Sequence, residues 1–218
     1  MSHVQILILG AGWTSTFLIP LLKKEKITYG ATTTTGRDGT YKFKFDPEDK
    51  DGDNASQYRG LPTAKTVLIT FPLKGKNHSL HLRDSYLQNH AKDLHCNFIQ
   101  LGSTGIFSIS DQDHWVTRHS KYDETNARAI AEDELRGFGG CVLNLSGLWG
   151  GARQPKHWID RVAATKEQLK EKTSLHLIHG QDVARAIIAV HRDFAQAKGQ
   201  RFVSLVLVSW RRKVANIS

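Results

Sequence analysis

The chain has 218 residues, with 30 lysines and arginines against 21 acidic residues and a net charge of +9. That length holds one α/β domain with a full core, or one domain and a fragment of a second. The basic residues are spread along the chain rather than gathered into an aromatic-studded stripe. This argues against a nucleic-acid partner and leaves an anionic small molecule or a solvated basic surface. Only Cys96 and Cys141 are present, and the eleven histidines show no H-x-x-x-H spacing. No disulfide framework and no metal site are therefore expected. With no charged leader and no apolar run of membrane-spanning length, the expectation is a soluble cytoplasmic protein without a membrane partner.

The apolar run Val4 to Leu9 has the length and β-branched content of a buried strand, and it ends in Gly10, Gly12 and a helical segment. Strand, glycine turn and helix in that order form the context of a dinucleotide fingerprint. Gly10 permits the tight turn, Gly12 admits a pyrophosphate close to the backbone, and the next helix presents free N–H groups to it. Ser15 stands where the third glycine would be. Gly10, Gly12, Trp13, Thr14 and Ser15 are thus candidate cofactor contacts, with an ordinary strand-to-helix turn as the alternative. The helix Trp13 to Lys24 contains Pro20, which predicts a bend.

A second strand is expected from Ile27 to Thr33. At its carboxyl end a dinucleotide fold reads the adenosine ribose, with an acidic residue where a free 2′-OH is bound. None occurs between Ile27 and Gly36. The stretch Thr32-Thr33-Thr34-Thr35-Gly36-Arg37 instead offers hydroxyls and a guanidinium suited to a 2′-phosphate, so Thr34, Thr35 and Arg37 favour NADP, with NAD the second choice. A threonine-rich strand edge and polar turn is the plainer reading. Asp46 to Gly60 reads as a solvated loop. Thr66 to Phe71 is a third strand stopped by Pro72, which puts Phe71, Pro72 and Leu73 beside the cofactor. A helix from Leu80 to Lys92 and a strand from Cys96 to Leu101 follow. The alternation predicts an α/β fold with a doubly wound parallel sheet, a Rossmann fold.

The fourth strand runs into Gln100-Leu101-Gly102-Ser103-Thr104-Gly105-Ile106-Phe107. Here the chain resembles the extended and atypical short-chain dehydrogenase/reductases, which include the NAD-dependent epimerase/dehydratases. Similar segments follow in family order: the Ala-Glu-rich stretch Ala129 to Leu135, the strand and glycine loop Val142 to Arg153, and Leu177 to Ala184 with His179 and Asp182. The resemblance implies Gly102 and Ser103 near the cofactor, and Ser103, then Thr104, hydrogen-bonded to the substrate oxygen. It also implies a Tyr-x-x-x-Lys pair, whose tyrosine takes part in proton transfer because nearby positive charge lowers its pKa. Counting back from Glu132 places Glu124 and Arg128 at those two positions, so the pair is absent. Tyr122 and Arg128 are the substitute catalytic candidates; the alternative is an ordinary helix start with Glu124 and Arg128 as i,i+4 partners. His179 and Asp182 also suit loop and helix-cap service, and Trp149 and Trp158 either wall a pocket or fill the core.

Family members of the extended type continue further, so a dinucleotide-binding domain over residues 1–198 with an incomplete C-terminal substrate subdomain is expected. Residues 199–218 read as one strand, Phe202 to Trp210, and a basic tail. Val203-Ser204 can be encoded by a splice-donor-like hexamer, so one reading of the tail is that it is foreign to the family. Together these features imply an NAD(P)-dependent oxidoreductase or epimerase/dehydratase-like enzyme acting on a small carbonyl or sugar-like substrate, compatible with a homo-oligomer. The alternative is a catalytically silent dinucleotide sensor or partner-binding module.

Overall fold

In a computed structural model, described for residues 2–48, 53–90, 95–108, 117–157, 163–171, 175–203 and 207–208, the first apolar run forms β1 (His3–Leu9). Ile6, Leu7, Ile8 and Leu9 have no exposed surface. They are buried on both faces because parallel strands flank β1 and helices cover the sheet above and below. On one side lies β2 (Tyr29–Thr33) and then β3 (Tyr41–Lys42); on the other lie β4 (Thr63–Ile69), β5 (Asn97–Ser103), β6 (Cys141–Leu145) and β9 (Arg201–Val203). All six pairings are parallel.

The strand's period of two divides the core into two layers. Ile6 and Ile8 pack with Leu18 and Leu22 of α1 (Ser15–Lys24) and with Ile187 of α6 (Gly180–Arg192). Leu7 and Leu9 pack on the opposite face, where Tyr58 comes from α2 (Asp53–Arg59), Leu82 and Tyr86 from α3 (His78–Gln88), and Leu135 from α4 (Ala127–Gly137). A smaller sheet joins β7 (Gly147–Trp149), β8 (Leu175–His179) and β10 (Leu207–Val208), and α5 (Lys166–Glu171) and α7 (Phe194–Ala197) complete the helices. The winding reverses between β1 and β4, which leaves a crevice at their carboxyl ends.

The doubly wound parallel sheet is as expected, but two local features differ. The stretch expected as a solvated loop contains α2, because Tyr58 anchors it edge-on against Phe43 with ring centroids 5.1 Å apart. The final expected strand is divided: Arg201–Val203 extends the large sheet beside β6, whereas Leu207–Val208 pairs antiparallel with β8. Residues 209–218, with the expected basic tail, and Trp158 lie outside the described residues. The helix α1 passes through Pro20 without interruption. Among the described residues, no helix is long and apolar enough to cross a membrane.

One buried polar contact ties the helical layer to the sheet. His191 of α6 is 4% exposed, and its Nδ1 lies 2.8 Å from Thr66 Oγ1 in β4. Burial, aided by Lys65 and Arg192, lowers the imidazole pKa from 6.5 to about 4. The unfolded chain therefore takes up a proton below 6.5 that the folded chain refuses, so this contribution is complete above 6.5 and declines as pH falls towards 4. The thermal midpoint should drop between pH 7.5 and 5, and His191→Gln, which cannot charge, should flatten part of that drop in pH-resolved thermal melts.

Candidate functional site

At the carboxyl end of β1 the chain turns through Gly10, whose φ is +92°. A Cβ there would stand 2.7 Å from Thr70 Oγ1 and 3.1 Å from a Phe71 ring carbon, so both conformation and space demand glycine. The turn is pinned from β2: Thr32 Oγ1 accepts the Gly10 N–H at 2.9 Å, and its carbonyl accepts the Ala11 N–H at 2.6 Å. Just past β4, Thr70 Oγ1 donates to the Leu9 carbonyl at 3.0 Å. A Cβ on Gly12, by contrast, would meet no atom within 4 Å. The N–H groups of Trp13 and Thr14 donate to no acceptor among the described residues, while the Ser15 N–H is taken by the Gly12 carbonyl. Ser15 is 4% exposed, so the hydroxyl in the third-glycine position fits between helix and sheet.

The threonine run divides by role. Thr32 is fully buried behind the glycine turn. Thr33 Oγ1 accepts from the Gly36 and Arg37 amides at 2.9 and 3.2 Å, which folds the chain back after β2. Thr34, Thr35 and Arg37 remain exposed. Arg37 makes only a loose 3.9 Å pair with Asp38, and such surface pairs bind weakly. These residues, the glycine turn, Thr70, Phe71 and Pro72 line one cleft of about 570 Å³, joined by Leu148 of β7 and by Arg153 a few residues past that strand. Leu73 does not join them: at 1% exposure it lies in the core with Leu9 and Ile69, because the chain past Pro72 turns it inward. Thr70 and Arg153 are the residues that sequence reasoning missed here. Thr70 is hidden as one more β-branched residue within the expected strand Thr66 to Phe71, and Arg153 stands far away in the chain.

The second group of candidates lies along the same sheet edge but outside that cleft. Ser103 is three residues past Gln100, which registers with Ile69 of β4, so it reaches roughly 10 Å further along the strand direction. Its Oγ accepts the Gly105 N–H at 3.1 Å, and Thr104 Oγ1 donates to the Leu145 carbonyl at 3.3 Å. Beneath them is a buried charged network that sequence reasoning did not identify. Glu132, with no exposed surface, accepts from the Ser103 N–H at 3.2 Å and from Asn144 Nδ2 at 2.8 Å. Arg201 of β9 lies 3.5 Å from Glu132 and 2.9 Å from Asp133. A Cβ on Gly102 would sit 2.5 Å from the Glu132 carboxylate, so this glycine makes room for a side chain rather than for a ligand. Burial pushes the Glu132 carboxyl up, opposed by Asn144, Arg201, the Ser103 amide and Arg128. The signals were a glutamate within an alanine-rich helix and an asparagine interrupting Val142-Leu143-Asn144-Leu145.

Tyr122 belongs to this network and not to a proton-transfer pair. Its hydroxyl donates to Asp133 at 2.9 Å, its ring faces the Arg201 guanidinium at 4.4 Å, and Phe107 packs edge-on at 5.7 Å. Burial and then the Asp133 carboxylate raise its pKa, opposite to the shift a tyrosine base requires. Arg128 lies in the first turn of α4, where Asn126 Oδ1 caps its N–H at 3.0 Å. Glu124 precedes the cap, so the expected helical pairing of Glu124 with Arg128 does not arise. His179 caps α6 by accepting the Gln181 N–H at 3.1 Å, and it packs against Trp149 and Phe17 at centroid separations of 4.7 and 5.3 Å. Asp182 pairs with Arg185 at 3.0 Å in that helix's first turn. Among the described residues no cluster of histidine, cysteine and carboxylate side chains suits a metal.

No family model matches the sequence, and no curated protein matches it significantly. Solved structures do resemble it. A dTDP-glucose 4,6-dehydratase from Bacillus anthracis in complex with NAD superposes with a TM-score of 0.59 at 12% identity, covering 94% of this chain and 76% of that one. A short-chain dehydrogenase/reductase superfamily protein from Agrobacterium tumefaciens with bound NAD gives 0.59 at 13% identity, covering 93% and 77%. A UDP-N-acetylglucosamine 4-epimerase from Bacillus cereus gives 0.57 at 12% identity, covering 94% and 78%. The chain has the Rossmann-like α/β fold of these epimerase, dehydratase and short-chain dehydrogenase/reductase structures.

The buried network yields a stability prediction. Arg201→Leu leaves Glu132 buried without its guanidinium and should cost about 3–5 kcal/mol in urea unfolding, as breaking a buried ion pair does. Glu132→Gln keeps the shape and should cost less.

Proposed function

We propose that the chain binds a nicotinamide dinucleotide across the carboxyl edge of the large sheet, with its pyrophosphate on the glycine turn. The observation that carries this reading is the contrast between two glycines. Gly10 is required by its protein neighbours, whereas Gly12 is surrounded by open space beside the unused amides of Trp13 and Thr14. A backbone bare of side chain, next to free N–H groups at a sheet's switch point, suits a phosphate. Thr34, Thr35 and Arg37 hold the adenosine end, and without a carboxylate aimed at the ribose they favour NADP over NAD.

A bound nicotinamide supplies or accepts hydride. In this reading a small carbonyl or sugar-like substrate lies towards β5, where the Ser103 or Thr104 hydroxyl orients its oxygen and Arg128 contributes positive charge. The activity class is an NADP-dependent oxidoreductase or epimerase/dehydratase-like enzyme. A second reading, a dinucleotide-binding sensor or partner-binding module without turnover, is favoured by Tyr122, whose hydroxyl is committed to Asp133. A reducing cytoplasmic setting suits Cys96 and Cys141, both free thiols.

Calorimetric titration with NADPH, NADP, NADH and NAD tests the binding reading, which fails if none of the four binds. Gly12→Val should abolish binding while leaving the thermal midpoint unchanged, since its side chain meets only the space a ligand would fill. Arg37→Asp should weaken NADPH about tenfold relative to NADH, the scale of one charge-assisted contact. Binding without turnover across a carbonyl and sugar panel decides for the sensor.

A further inference from the structure

The cleft has a second cation besides Arg37, brought in from the chain that follows β7. Arg153 follows the turn Gly150-Gly151-Ala152, which closes by paired backbone hydrogen bonds, Gly150 N–H to the Arg153 carbonyl at 2.9 Å and Arg153 N–H to the Gly150 carbonyl at 3.0 Å. Gly150 and Gly151 both have positive φ, +118° and +54°. The turn is fastened to the glycine loop itself: Trp13 Nε1 donates to the Gly150 carbonyl at 3.2 Å. The Arg153 guanidinium lies 4.7 Å from the centre of the Trp13 ring. Arg153 is exposed and makes no ion pair among the described residues. A cation resting on an indole face, in the same cleft as the Trp13 and Thr14 amides and with no counter-ion among the described residues, is held ready for an anion.

We propose that Arg153 is a phosphate-binding residue that contacts the dinucleotide's pyrophosphate, with Trp13 as the platform that positions it. This rests on the dinucleotide reading above and goes beyond it by assigning the pyrophosphate a side-chain cation from outside the first βαβ unit. The attachment of the turn does not depend on the Arg153 side chain, because the Trp13 bond goes to the Gly150 carbonyl. Removing the guanidinium therefore removes the contact and spares the loop. The pyrophosphate is common to all four dinucleotides, whereas the 2′-phosphate is not, so the two phosphate sources separate by cofactor.

The test titrates wild type, Arg153→Ala, Arg153→Lys and Arg37→Ala with NADPH and NADH at two or more salt concentrations, with thermal melts of each free protein. Arg153→Ala is expected to weaken both cofactors by a similar factor, on the order of tenfold, and to flatten the salt dependence. Its thermal midpoint should stay at the wild-type value. Arg153→Lys should recover part of the affinity, and Arg37→Ala should affect NADPH alone. Unchanged affinities in Arg153→Ala, with wild type binding normally, overturn the inference and leave the dinucleotide reading standing. A loss confined to NADPH overturns the pyrophosphate assignment in favour of the 2′-phosphate. If wild type binds neither cofactor, the dinucleotide reading fails and the inference falls with it.

Discussion

Everything at the carboxyl edge depends on the wedging of Gly10 between two threonines, one in β2 and one just past β4, the strands that flank β1. Thr32 of β2 takes its amide, and Thr70, just past β4, occupies the space where its side chain would be. These two strands belong to the oppositely wound halves of the sheet, so the glycine turn is held where the halves part. Fixing Gly10 there sets where Gly12, Trp13 and the start of α1 emerge. The open backbone of Gly12 is thus a product of packing one and two residues away.

The second organising feature is the charge buried beneath β5. Glu132, Asn144 and Arg201 come from α4, β6 and β9, and together they hold the backbone of Ser103 on both sides, through its N–H and its carbonyl. A buried ion pair is a poor source of net stability but a strict one of geometry, since each partner is costly to leave alone. It therefore ties the last strand of the large sheet to the loop that bears the candidate substrate hydroxyls. The same network occupies Tyr122, whose hydroxyl donates to Asp133. The two ends of the sheet edge are thus unequally developed: the cleft has a glycine turn, two amides without an acceptor among the described residues and two cations, whereas the β5 end has hydroxyls already engaged in local hydrogen bonds.

Local signals determined much of this. Apolar runs bounded by glycine and proline marked β1, β4 and β5, and Gly10-x-Gly12 between a strand and a helix marked the turn, because strand burial and positive φ are properties of short segments. Thr34, Thr35 and Arg37 were legible for the same reason, being adjacent to a strand end. Only the tertiary structure decided which threonines face inward, that Leu73 belongs to the core, that Phe202 and Val208 serve different sheets, and that Gly102 makes room for Glu132. It alone brought Arg153 onto Trp13, 140 positions away in numbering. Those outcomes depend on partners distant in the chain, and no local pattern of hydrophobicity or turn chemistry encodes which distant side chain will fill a given space.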